Sequence, residues 1–82
     1  MKIQLSTKNN EKILEVEEDL GHPRVTVHIE AYSKLLISLN PGDQAALIQG
    51  FTDLVKEEKF MKVMTIVSAL AKSLGLTVGT DI

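Results

Sequence analysis

The hydrophobic pattern changes its period at Asn40, and this change constrains the possible folds more than any other feature. Before Asn40, apolar residues recur at every second position, as in β-strands that bury one face. After it, they recur every three or four positions, as in amphipathic helices. The chain has 82 residues, too few for a second hydrophobic core. Strands followed by helices in one domain, residues 1–82, predict an α+β fold.

The strand half, residues 1–39, predicts a four-stranded antiparallel meander over about residues 2–39. Asn9 and Asn10 tolerate the positive φ of a tight turn between the first two strands. A second break follows at residues 21–23, where glycine and proline interrupt the alternation. The inward-facing residues expected in the last two strands are Val25, Val27, Ile29, Leu35, Ile37 and Leu39.

The helical half, residues 40–75, predicts two helices at about residues 41–57 and 59–74, packed on one face of the sheet. Asn40 is a good N-cap residue, and it precedes a proline that suits the first helical position. Gly75 is expected to end the second helix in a left-handed conformation. A short C-terminal tail, residues 76–82, completes the domain.

The apolar stripes of these two helices would lie on nearly opposite sides of one continuous helix. The junction, residues 56–59, contains no Gly, Pro, Asn or Ser to end a helix. Two interpretations therefore stay open: a break that gives a helical hairpin over the sheet, or one long helix that needs a partner chain. We favour the break, because the charged junction suits an exposed corner and a short chain gains most by packing both helices on one sheet.

The stripe on the second helix is wider than one small sheet easily covers, which predicts a contact between copies of the chain. We expect a homo-oligomer, with an isologous dimer as the first choice. Self-association also suits a short chain with no cysteine and two histidines, since disulfides and a structural zinc site are excluded. The expected interface residues are Phe60, Met61, Met64, Ile66, Val67 and Leu70.

No motif for catalysis, cofactor binding or metal binding occurs, so we expect a non-enzymatic protein without a cofactor. Histidine is a common acid–base and metal-binding residue, but we interpret His22 and His28 as solvated turn and strand residues because no pattern supplies further ligands. Four acids lie at the end of the second strand and offer a surface to a basic partner or, in the interpretation we favour, a solubilising strand face. These acids are Glu15, Glu17, Glu18 and Asp19.

Charge and hydropathy disfavour nucleic acids and membranes as partners. The chain has 9 basic and 11 acidic residues, and one of the basic residues, Arg24, is the sole arginine available for base readout. The longest apolar stretch, residues 63–76, is interrupted by polar side chains and is too short to span a bilayer. The N-terminus has no pattern of a secretory signal, and we expect a cytoplasmic protein.

The leading hypothesis is a small interaction module that binds another protein and self-associates through its C-terminal helix. Its expected role is that of an accessory regulator or inhibitor of the bacterial or phage type. A DNA-binding regulator that uses the helical pair remains an alternative, with Lys59, Lys62 and Lys72 facing phosphates. A binder of small ligands at a subunit interface is the third hypothesis.

Overall fold

A computed structural model describes residues 1–81, and Asp81 is described by its backbone alone. The elements in chain order are β1 (Lys2–Ser6), β2 (Lys12–Asp19), β3 (His22–Val27), α1 (Ile29–Ser38), α2 (Pro41–Lys56), α3 (Phe60–Leu74) and β4 (Thr77–Asp81). The strands form one antiparallel sheet in the order β3-β2-β1-β4. The predicted α+β class and the four-stranded antiparallel sheet are confirmed.

The position of the fourth strand differs from the prediction. The segment expected to form it, residues 35–39, belongs largely to helix α1, so the chain has three helices and not two. Ile29 and Ile37, both expected to face inward, are 71% and 80% exposed, whereas Ala31 is buried and Leu35 is half-buried at the i, i+4 spacing of a helix. The fourth strand comes instead from the predicted tail, where β4 pairs with β1.

The turns between the first three strands explain where each strand ends. Asn10 takes a positive φ of 64°, as expected of the first turn. The second turn is formed by Leu20 and Gly21, both with positive φ, so β3 begins at His22 rather than after the proline. A bulge between β1 and β2 leaves Ile13 without a register partner, which is why Ile13 and Leu14 are both buried although they are consecutive.

The predicted helix break at residues 56–59 is confirmed, because α2 ends at Lys56 and α3 begins at Phe60. The break occurs without glycine or proline, and the side chain of Glu57 makes hydrogen bonds within it. Its Oε1 atom accepts hydrogen bonds from the backbone N–H groups of Glu58, at 3.2 Å, and Lys59, at 3.3 Å. These bonds hold the turn, and α3 then begins without a hydrogen bond from a capping side chain.

One face of the sheet carries the core. Strands β1 and β2 supply Ile3, Leu5, Leu14 and Val16, and α3 supplies Val63, Val67, Leu70 and Ala71. Helix α3 contacts β1, β3 and β4, and α2 packs against α3. The two helices approach closely at Gly50, where an added Cβ would lie 2.5 Å from Leu70 Cδ2. Helix α3 is therefore covered by both the sheet and α2.

Candidate functional site

The six residues predicted to contact a second copy fall into three groups in the structure. Phe60, Val67 and Leu70 are buried in the core of the chain itself. Met64 and Ile66 are half-buried and pack against that core. Met61 is 74% exposed. Of the predicted set, Met61 thus has most of its side chain free for contact with another molecule.

Further large apolar side chains are exposed on α2, the helix that precedes α3 and packs against it. Ile48 and Val55 lie seven positions apart on one side of α2, and they are 50% and 57% exposed. Val55 and Met61 flank the short turn that joins the two helices. We call Ile48, Val55 and Met61 the helical apolar patch. Both side chains belong to the apolar stripe that recurs every three or four positions in α2, and their exposure shows that the core covers only part of this stripe.

A cluster of charges surrounds Glu15 on the polar face of the sheet. Glu15 Oε2 lies 2.8 Å from Lys2 Nζ, and Oε1 lies 3.3 Å from Lys12 Nζ and 3.1 Å from His28 Nε2. The hydrogen bond from Lys2 is the largest cause that lowers the pKa of Glu15, from 4.5 to about 2, and Lys12 and His28 act in the same direction. Glu15 is thus a paired carboxylate near neutral pH, unsuited to act as a general acid.

The other acids predicted to form a negative patch are not a single site. Asp19 makes an ion pair with Arg24, with its Oδ2 atom 2.7 Å from Arg24 Nη2. Glu17 and Glu18 are exposed near the end of β2. His22 is exposed at the start of β3, whereas His28 follows β3 and is half-buried beside Glu15. The prediction that His28 is a solvated strand residue is corrected on both counts.

The loop before α2 is a helix cap, as expected. Asn40 Oδ1 accepts a hydrogen bond of 2.9 Å from the backbone N–H of Asp43, and Pro41 occupies the first turn. At the other end of the helical pair, Gly75 caps α3 with a left-handed φ of 69°. The lysines of the DNA-binding alternative, Lys59, Lys62 and Lys72, are all exposed.

Several kinds of site are absent from the part of the chain that the structure describes. Within residues 1–81, no group of three or more His, Asp or Glu side chains is placed to hold a metal ion, and no cavity for a small ligand is found. Among the same residues, no helix combines the length and apolar character needed to cross a bilayer. Comparisons of the chain with protein-family models, curated proteins and solved structures found no match.

The sequence did not predict two features of the structure. These are the Glu15 cluster on the sheet and the close contact between α2 and α3 at Gly50. The cluster depends on strand register, because Lys2 lies opposite Glu17 and reaches Glu15 diagonally across the sheet. A glycine in the middle of an amphipathic helix was the available signal for the second feature, since glycine there destabilises a helix unless close packing requires it.

Proposed function

We propose that the chain is a non-enzymatic protein–protein interaction module that self-associates through helix α3, with Met61 at the centre of the contact. One observation carries this proposal: Met61, a large apolar side chain at the first turn of α3, is 74% exposed. Exposed apolar side chains that lie together on a small protein mark surfaces for other proteins. The flexible thioether of methionine suits such surfaces because it adapts to the partner.

The proposal is narrower than the prediction from sequence. Phe60, Val67 and Leu70 contribute to the core of the chain, so they are not available to a partner without unfolding. The contact we propose uses the helical apolar patch, in which Ile48 and Val55 extend the surface of Met61 onto α2. Burying a large apolar side chain fully contributes about 1.5–3 kcal/mol, so partial burial of three in each copy supports a weak, reversible dimer.

The biological role we propose is that of an accessory regulator or inhibitor in the cytoplasm, acting by binding and not by catalysis. The proposal gives Glu15 a structural part only, because its carboxylate is engaged by Lys2, Lys12 and His28. The helical layer offers apolar side chains, while the opposite face of the sheet offers paired charges. The helical layer suits contact with another protein, since removing water from apolar side chains costs little free energy.

The test is the mass of the protein in solution, measured by light scattering over about a hundredfold dilution, since mass action shifts a weak dimer across such a range. The wild-type chain is expected to exceed 9.0 kDa at high concentration and to approach that mass on dilution. Met61→Lys should abolish the contact. Ser73→Lys adds the same charge at another exposed position of α3 and should leave the contact intact.

Two results would contradict the proposal. The first is a wild-type chain of 9.0 kDa at every concentration, with a melting temperature that does not depend on concentration. The second is an assembly that Met61→Lys and Ser73→Lys affect equally, which would move the contact away from the helical apolar patch.

A further inference from the structure

We infer that the free edge of β4 is a second self-association surface, on which β4 of another copy pairs in antiparallel orientation. This contact is separate from the helical apolar patch and does not depend on it. β4 is an edge strand of the sheet, next to β1. An edge strand presents unpaired N–H and C=O groups that can pair with another strand.

The hydrogen bonds of the sheet identify which backbone groups face outward from β4. Antiparallel strands exchange hydrogen bonds at every second residue pair. The N–H of Glu18 donates to the carbonyl of Met1, so Met1, Ile3 and Leu5 bond to β2. The alternate residues of β1 then bond to β4, where their partners are residues 77, 79 and 81. The N–H and C=O groups of Val78 and Thr80 therefore point away from β1, towards the free edge of the sheet.

The other edge strand of the sheet, β3, is protected against pairing with another chain. The N–H of His28 donates to the carbonyl of Ile13, so residues 22, 24, 26 and 28 face β2. The backbone groups of the alternate residues of β3 then point away from β2, at Pro23, Val25 and Val27. Of these residues, proline has no N–H to donate. Arg24, held by Asp19, adds a charged pair to this strand. β4 has no proline and no lysine, the residues that commonly block edge pairing.

The free edge of β4 is complementary to itself. If two copies pair about a two-fold axis at Gly79, Val78 of one copy lies opposite Thr80 of the other, and the reverse pair is identical. Each of these pairs exchanges both of its N–H···O bonds, so every outward group of Val78 and Thr80 is satisfied. The same residues face each other from both copies, so no other chain is needed to complete the match.

The side chains support the same pairing. Val78 lies opposite Leu5 in the register, so it belongs to the core face, yet it is 39% exposed because no strand lies beyond it. Pairing would place a β-branched threonine beside it, a favourable cross-strand neighbour. Gly79 needs no special conformation in its own chain, and nothing lies within 4 Å of an added Cβ. A glycine in a strand commonly marks a place where another backbone approaches.

The test combines one change at each surface. Thr80→Pro removes an outward N–H and leaves the pairing between β1 and β4 intact, because Thr80 does not bond to β1. Thr80→Val keeps the N–H and the branched shape and is the matched control. Gly79→Lys is a second variant, which sets two like charges opposite each other at the two-fold axis. Met61→Lys removes the helical contact.

Two different isologous contacts link copies into assemblies larger than a dimer. We expect light scattering to show such assemblies for the wild type and for Thr80→Val. The Thr80→Pro protein and the Met61→Lys protein should each form a dimer and no larger assembly. The protein with both changes should be a monomer of 9.0 kDa. Thr80→Pro should weaken the edge contact at least tenfold, about the effect of losing one backbone hydrogen bond per copy.

The outcomes separate this inference from the proposed function. A wild-type dimer that Met61→Lys dissociates and that neither Thr80→Pro nor Gly79→Lys changes would overturn the edge contact and keep the helical one. A dimer that Thr80→Pro and Gly79→Lys weaken, and that Met61→Lys leaves intact, would do the reverse. A monomer at all concentrations would overturn both.

Discussion

Replacing Gly50 with alanine tests how tightly α2 packs on α3. In an exposed helix interior this change adds about 1 kcal/mol of stability, because glycine is a poor helix former. At Gly50 the added Cβ would lie 2.5 Å from Leu70 Cδ2, 2.7 Å from Cδ1 and 2.8 Å from Cγ. Overpacking of this kind costs about 1–3 kcal/mol. We therefore expect Gly50→Ala to lower the free energy of unfolding by about 1 kcal/mol overall.

The second step of this experiment removes the atoms that clash. Leu70→Ala alone should destabilise the chain by about 2–5 kcal/mol, because Leu70 is buried in the core. In that background Gly50→Ala has room for its methyl group and should stabilise the protein by about 1 kcal/mol. The sign of one substitution thus depends on the residue across the interface, and the two sites are coupled by about 2 kcal/mol.

Urea denaturation of the four proteins gives the required free energies. Sucrose in every sample raises the stability of all four proteins and keeps the weakest one folded. If Gly50→Ala stabilised the protein equally in both backgrounds, Leu70 would not restrict the space at Gly50, and the tight packing of α2 on α3 would be refuted.

Three further changes test the turns, the cap and the charge cluster. Leu20 has a φ of 53° in an exposed turn before Gly21, so Leu20→Asn should raise the melting temperature through a gain of about 1 kcal/mol. Asn40→Ala should cost about 1 kcal/mol in urea denaturation, whereas Asn40→Asp, which also caps, should cost little. The pKa of Glu15 is lowered from 4.5 to about 2, so its ion pairs stabilise the fold above pH 4.5 and are lost as the pH falls towards 2. Glu15→Gln should therefore lower the free energy of unfolding by about 1 kcal/mol at pH 7, because solvent around the lysines weakens the ion pairs. The difference from wild type should vanish near pH 2.

The α+β class and the helix break could be predicted from sequence because each has a local signal. The first three strands alternate over long runs, and the two helical stripes are out of phase. The sequence predicts a strand at residues 35–39 because three apolar residues alternate there, but Ala31, Leu35 and Leu36 fit a helix equally well. Short apolar runs do not separate these cases, and packing against β2 and α2 decided in favour of a helix.

The wide apolar stripe of α3 shows why a surface is harder to predict than an element. A stripe that covers half a helix indicates two neighbours, but it does not identify them. In the structure one neighbour is the sheet and the other is α2, which packs through Gly50. Intramolecular packing therefore accounts for Phe60, Val67 and Leu70, while Met61 lies outside it. The Glu15 cluster was not predictable because it depends on strand register and on the bulge at Ile13.

We expect the pairing of β1 with β4 to be a late step in folding, because the two strands lie far apart in the chain. β1 and β2 are joined by a short turn and can meet within microseconds, as hairpins do. β4 reaches its place beside β1 after three helices have been made, so a long loop must close before those contacts form. Non-local pairing of this kind slows folding. During synthesis one edge of β1 therefore stays unpaired until β4 has been made, because the ribosome makes the three helices before β4.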